Sequence, residues 1–181
     1  MLPITIPQRE DFNNATQEFI VVEKEQKIQL EHSLLSLSKW ESKWHKPFIG
    51  NEDLSLDEVI DYIRCMTITP NIDPKVYWRL TSDNIEEIQK YIKNPMTATH
   101  IKRNPNDINN REIITSEILY YDMIAYNIPF ECEKWHLNRL ITLIEVCSIK
   151  SQPQKKMSVD EIYAQNKELN KQRRLKLKSK G

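Results

Sequence analysis

The stretch Lys27-Ile-Gln-Leu-Glu-His-Ser33 followed by Leu34-Leu-Ser-Leu-Ser-Lys-Trp40 changes its apolar period part-way along. Ile28 and Leu30 alternate with polar neighbours, which suits a strand with one buried face. From Ser33 onward, Leu34, Leu37, Trp40, Glu41 and Trp44 recur at spacings of three and four, and Pro47 closes the run. That spacing places them on one helical face, so a β segment hands over to a helical one here.

Upstream of this switch the chain has the chemistry of strands. Leu2-Pro-Ile4-Thr-Ile6 alternates, with Pro3 and Pro7 marking an edge strand or its end. Asp11-Phe-Asn-Asn-Ala15 carries turn residues, and Glu18-Phe-Ile-Val-Val-Glu23 is rich in β-branched and aromatic side chains. Two or three antiparallel strands are expected, forming a sheet too small to stand without helices packed on it.

Downstream, capping patterns punctuate a helical region. Ser55-Leu-Asp-Glu58 is a capping box opening a helix that carries Val59, Ile60, Tyr62, Ile63 and Met66, with Pro70 beyond its end. Asp73-Pro74 begins a short helical turn holding Val76, Tyr77 and Trp78. Asp83-Asn-Ile-Glu86 predicts a further helix with Ile85, Ile88, Tyr91 and Ile92 inward, ending at Asn94-Pro95. Residues 97–111 are polar and form the longest loop. Two apolar helices are then expected, Ile113 to Asn127 and Glu131 to Ile149, joined at Ile128-Pro129-Phe130 as a central helical hairpin.

Residues 151–156 have the composition of a linker, and Ser158-Val-Asp-Glu161 caps a last helix that grows basic toward its end. Its broken apolar stripe predicts a weakly docked or disordered segment in isolation. The expected fold is therefore α+β and mostly α. A single domain covers residues 1–150, β-rich over 1–31 and helical over 32–150, with a linker and basic C-terminal helix or tail over 151–181.

Composition narrows the function classes. The chain has 181 residues with 26 acidic and 26 basic side chains, so its total charge offers no field to draw in nucleic acid or a membrane surface. Only two glycines occur, too few for phosphate-cradling loops and nucleophile elbows. Three cysteines, Cys65, Cys132 and Cys147, make an odd count without repeated spacing, which fits free thiols in a reducing cytosol. The N-terminal residues lack the basic and apolar regions of a signal peptide, and no apolar run approaches the ~18 residues of a membrane span.

Candidate chemistry is thin. Cys132 and His136 stand four apart, a helical spacing for two zinc ligands, but a closed site needs two more, from Glu133, Cys65 or Cys147. Without a second ligand pair in the sequence, the favoured reading is that Cys132 packs as a small hydrophobe and His136 is a hydrogen-bonded helix residue. Helical cysteines have little to lower their pKa for nucleophilic work. The carboxylates cluster at helix starts, where the helix dipole favours them. Trp40 and Trp44 share a face flanked by Lys39, Lys43 and Lys46, a pattern that could stack on bases but is better read as core or interface anchors with lysines reaching outward. The candidate partner-binding residues are Trp40, Trp44 and Trp135, with Lys171, Arg173, Arg174, Lys176 and Lys178 of the basic tail.

Several stretches act together as a signature: Lys39-Trp-Glu-Ser-Lys-Trp-His-Lys-Pro-Phe48, Asp61-Tyr-Ile-Arg-Cys-Met-Thr67, Pro95-Met-Thr-Ala-Thr99, Arg111-Glu-Ile-Ile-Thr-Ser-Glu117, Asn127-Ile-Pro-Phe-Glu-Cys132 and Lys134-Trp-His-Leu-Asn-Arg-Leu140. With them, nearly the whole chain resembles a family of tailed-phage and prophage proteins, the tail assembly chaperones encoded just before the tape measure protein. The resemblance implies binding without catalysis or cofactor. The implied partner is the tape measure protein, with recruitment of tail tube protein and homo-oligomerisation as further options, in the host cytoplasm and outside the mature virion. It also raises a longer frameshifted product, with which A-rich codons for Lys176-Leu-Lys-Ser-Lys-Gly181 would be compatible. A connector or minor tail protein of the virion is the alternative. A nucleic-acid-binding regulator ranks behind both, and no membrane partner is expected.

Overall fold

The computed structural model describes residues 1–51, 53–101, 113–151 and 159–177. The chain divides into two units, Met1–Ser148 and Ile149–Gly181.

Four strands open the first unit: β1 (Leu2–Ile6), β2 (Arg9–Asn13), β3 (Glu18–Glu23) and β4 (Gln26–Leu30). β1 pairs antiparallel with β4 from Leu2↔Leu30 to Ile6↔Gln26, and β2 pairs with β3 from Arg9↔Glu23 to Asn13↔Glu18. The register carries across from one ladder to the other, so the four strands form one long hairpin. Its ladder breaks where Pro7 and Gln8 face Lys24 and Glu25, and Pro7 has no N–H to contribute. The expected two or three strands are thus two two-stranded ladders in a single ribbon. The turn also lies further along than Asp11–Ala15: Asp11, Phe12 and Asn13 extend β2. Asn13 Oδ1 accepts from the Ala15 N–H at 2.9 Å, and Gln17 takes the left-handed conformation with φ 54°.

The inner half of the ribbon follows the strand period. Ile4, Ile6, Ile28 and Leu30 are buried while their neighbours face out. The free edge of β4 is covered by the segment after the second helix, where Glu31 N–H donates to Met66 O at 2.9 Å and Ile68 N–H to Gln29 O at 2.8 Å.

Helix α1 (Leu34–Trp44) starts at the predicted switch. Ser33 and Ser36 cap it reciprocally, and His45 ends it in the left-handed region at φ 52°. Helix α2 (Leu56–Met66) opens on the Ser55–Glu58 capping box read from the sequence. A 3₁₀ turn follows at Pro74–Arg79, with Asp73 accepting from the Lys75 N–H. Helix α3 (Ser82–Lys93) is capped by Thr81 and Asn84, two residues earlier than the expected Asp83–Glu86 box.

Helix α4 (Ser116–Ala125) packs on α1. The second expected partner of the helical hairpin is not one helix. Phe130–Lys134 form a 3₁₀ turn and α5 runs from Leu137 to Ser151. Between them Trp135 is extended, His136 bridges to Ser33, and Leu137 N–H donates to His32 O at 2.7 Å. Those non-local bonds draw residues 135–136 out of helical geometry.

The core lies between the inner ribbon face and α1, α2, α4 and α5. Trp40, Tyr62, Leu34, Leu37, Met66, Met123, Leu137 and Leu140 are all essentially inaccessible. Each such apolar side chain contributes roughly 1.5–3 kcal/mol on leaving water. Glu41 is a buried carboxylate that joins three segments. One oxygen accepts the Phe48 N–H at 3.1 Å and the other accepts the Ser116 N–H at 2.7 Å, at the start of α4. The N-cap residue Thr115 makes no side-chain capping bond to a helix N–H, so Glu41 caps α4 from another element.

In the second unit, α6 spans Val159–Leu177, and its described side chains from Tyr163 onward are all exposed. The helix expected after Ser158 is present as α6. Most of the predicted loop 97–111, most of the linker 151–156 and the cap residue Ser158 lie outside the described residues.

Candidate protein-binding surface

The tryptophan–lysine pattern of α1 resolves into core and ion pairs. Trp40 is fully buried and donates its indole N–H to Glu58 O at 2.9 Å. It packs against Phe48, with ring centroids 5.1 Å apart, and Phe48 stacks on Tyr62 at 3.7 Å. Trp44 is half-buried and donates to Asp61 Oδ2 at 2.9 Å. Lys43 pairs with Asp61 Oδ1 at 2.6 Å and Lys46 pairs with Glu58, which holds both ammoniums 5.4 and 5.9 Å from the Trp44 ring. Trp40 is therefore corrected from partner-binding to core. Trp44 is covered by its own lysines, and Trp135, also half-buried, carries the Arg139 guanidinium over its ring at 4.1 Å.

Cys132 and His136 do not share a helix face, since the first lies in the 3₁₀ turn and the second precedes α5. His136 Nε2 bonds to Tyr91 O at 3.0 Å, and its ring meets His32 edge to face at 5.2 Å. His32 Nδ1 bonds to the Tyr62 hydroxyl at 2.7 Å. Burial, reinforced by the neighbouring His136, lowers the His32 pKa to about 3. Burial likewise lowers His136 and raises the Tyr62 and Tyr91 hydroxyls. Tyr91 donates to Glu31 at 2.6 Å, and the other Glu31 oxygen meets the Met1 amine at 2.9 Å. This network joins the end of β4 to α2, α3 and the start of α5. Among the described residues no group of three His, Cys, Asp or Glu side chains is placed to hold a metal ion. Burial raises the Cys65 and Cys132 thiols.

The sequence reading missed the outer half of the ribbon. Phe12 and Phe19 are cross-strand partners with ring centroids 5.2 Å apart, and their exposures are 50% and 71%. Strand alternation puts Val21 on the same face and Ile20 on the other. Ile20, Val21 and Val22 are each about half exposed (47%, 45% and 55%). The β2–β3 ladder has two strands only, so among the described residues both of its edges keep unpaired backbone groups. An apolar ribbon of this kind on a folded domain has the character of a contact surface. Its signal in the sequence was the unbroken Phe19-Ile-Val-Val22 run, which does not alternate and so leaves apolar side chains on both faces.

The ribbon is held where its ladder breaks. Arg79, from the 3₁₀ turn, places Nε 3.0 Å from Glu23 Oε2 and donates through Nη2 to the carbonyls of Pro7 and Lys24. Asn84 of α3 adds a bond to Thr5 O at 3.3 Å. The body thus grips the joint, and among the described residues the outer strands stay largely exposed.

On α6, Lys171, Arg173, Arg174 and Lys176 are exposed, as are Leu169, Leu175 and Leu177, while Lys178 lies outside the described residues. Among the described residues, no helix is long and apolar enough to cross a membrane. Comparison with protein-family models, with curated proteins and with solved structures finds no match to this chain.

Proposed function

We propose that this chain binds another polypeptide and serves as a tail assembly chaperone for a phage tape measure protein. The observation that carries the binding part is the exposed apolar ribbon Phe12, Phe19, Ile20, Val21 and Val22, projecting from a joint fastened by Arg79. A partner that covers this surface removes roughly 25 cal/mol per Å² of apolar area from water. Open strand edges add main-chain hydrogen bonds to whatever extended segment lies beside them.

The partner class comes from the resemblance to pre-tape-measure proteins carried by the stretches from Lys39 to Leu140. A long, aggregation-prone partner calls for a small protein that offers apolar surface and releases it later. The role requires no catalytic group and no cofactor, and it places the protein in the host cytoplasm during tail assembly. The basic residues of α6 supply a second, electrostatic contact region.

Mass spectrometry of purified virions and of the lysate they came from tests this reading. The chaperone should be abundant in the lysate and absent from virions. Stoichiometric recovery inside virions would overturn the chaperone role in favour of a connector or minor tail protein.

A further inference from the structure

Between α1 and α2 lie two adjoining hollows of about 410 and 420 Å³ that share Lys39, Cys65 and Thr67 in their walls. The acidic groups bordering them are already engaged. Asp61 holds Lys43 and the Trp44 indole, and Glu31 holds the Met1 amine and the Tyr91 hydroxyl. Three cations of the lining have no carboxylate partner among the described residues: Lys39 at the junction, Arg64 on one side and Lys134 on the other. The second hollow also has an apolar wall of Leu35, Met66 and Ile68.

We propose that this cleft is a second binding site, for an acidic peptide segment that carries an apolar side chain. Its carboxylates pair with Lys39, Arg64 and Lys134, and the apolar side chain sits against Leu35, Met66 and Ile68. A peptide suits the cleft better than nucleic acid does. Single-stranded nucleic acid needs aromatic faces to stack on, and neither lining contains an aromatic residue. Of the tryptophans adjacent in sequence to lining residues, Trp40 is buried, Trp44 lies under Lys43 and Lys46, and Trp135 lies under Arg139. Duplex binding draws on a broad basic field, whereas this chain has no net charge. The site is separate from the ribbon and does not depend on the chaperone reading.

The probe is a fluorescein-labelled synthetic peptide, Glu-Glu-Leu-Glu-Glu-Leu-Glu, followed by anisotropy with the full chain. Saturable binding is expected, weakening at least about tenfold in Lys39→Glu/Arg64→Glu, which turns two attractive contacts repulsive, and weakening in high salt, which screens pairs made by exposed cations such as these. Phe12→Ser/Phe19→Ser in the ribbon should bind the peptide as the parent chain does. Circular dichroism checks the folding of each variant, and Lys134→Glu, at an exposed position, provides a second reversal. A further readout needs no variant: Cys65 is half-buried between the two hollows, so saturating peptide should slow its alkylation by a maleimide. Absence of binding, equal affinity in the folded charge-reversal variants, or unchanged Cys65 alkylation overturns the proposal. So does displacement of the peptide by a single-stranded oligothymidine at lower concentration than by unlabelled peptide.

Discussion

The Arg79 guanidinium lies 3.0 Å from the Glu23 carboxylate at the point where the long hairpin stops pairing with itself. The same guanidinium reaches the Pro7 and Lys24 carbonyls, which the broken ladder leaves without strand partners. One planar group with several donors therefore replaces the missing rungs and joins the outer ribbon to the body.

Replacing Arg79 by Ala should lower stability by about 1–3 kcal/mol, the usual range for lost hydrogen bonds to a charged group. Replacement by Lys should recover only part of this, because an ammonium lacks the planar fork. Urea unfolding gives the stability. Hydrogen exchange should show faster exchange across β2–β3, with the α1 and α2 amides less affected.

Acid should destabilise the protein through His32. Its pKa is about 3 in the folded state, held down mainly by burial, against about 6.5 when unfolded. Between those values the unfolded chain binds the proton and the folded chain does not, so stability falls as pH falls. The contribution is complete above pH 6.5 and is lost progressively toward pH 3, at up to about 1.4 kcal/mol per pH unit. His136, also lowered by burial, acts in the same direction. Urea midpoints measured from pH 7.5 to pH 5 should decline mostly below 6.5, and His32→Gln should flatten that decline.

Glu41→Ala should cost about 2–4 kcal/mol, because it strips acceptors from the Phe48 and Ser116 N–H groups together. Glu41→Gln keeps one acceptor and should cost less. Thermal unfolding of the two variants beside the parent chain checks the order.

The switch at Ser33 was legible because two periods meet there and a local cap marks the boundary. The Ser55–Glu58 box was legible for the same reason. At α3 the pattern was ambiguous, since Thr81–Asn84 and Asp83–Glu86 both have capping spacing. The bond from Asn84 to Thr5, 79 residues away, is a tertiary contact at the earlier start. The break at residues 135–136 depends on His32, also distant in sequence, and periodicity cannot register it. Trp40 and Trp44 illustrate the limit for sites. Their shared face was visible, but the groups that take their N–H donors, Glu58 O and the Asp61 carboxylate, belong to another helix. The exposed ribbon was hidden for a related reason: a β-rich run signals a strand, and nothing local says whether a helix covers it.

Co-expression with a phage tape measure protein encoded beside this chain, the partner that the proposed function names, tests the central claim most directly, comparing the parent chain with Phe12→Ser/Phe19→Ser. The pair is exposed, so the double variant should keep its fold and lose no more than about 1.5 kcal/mol of stability. The parent chain should hold the tape measure protein in a soluble complex that co-purifies, while the double variant should leave it in the insoluble fraction. A folded double variant that solubilises the tape measure protein as well as the parent chain does would contradict the account.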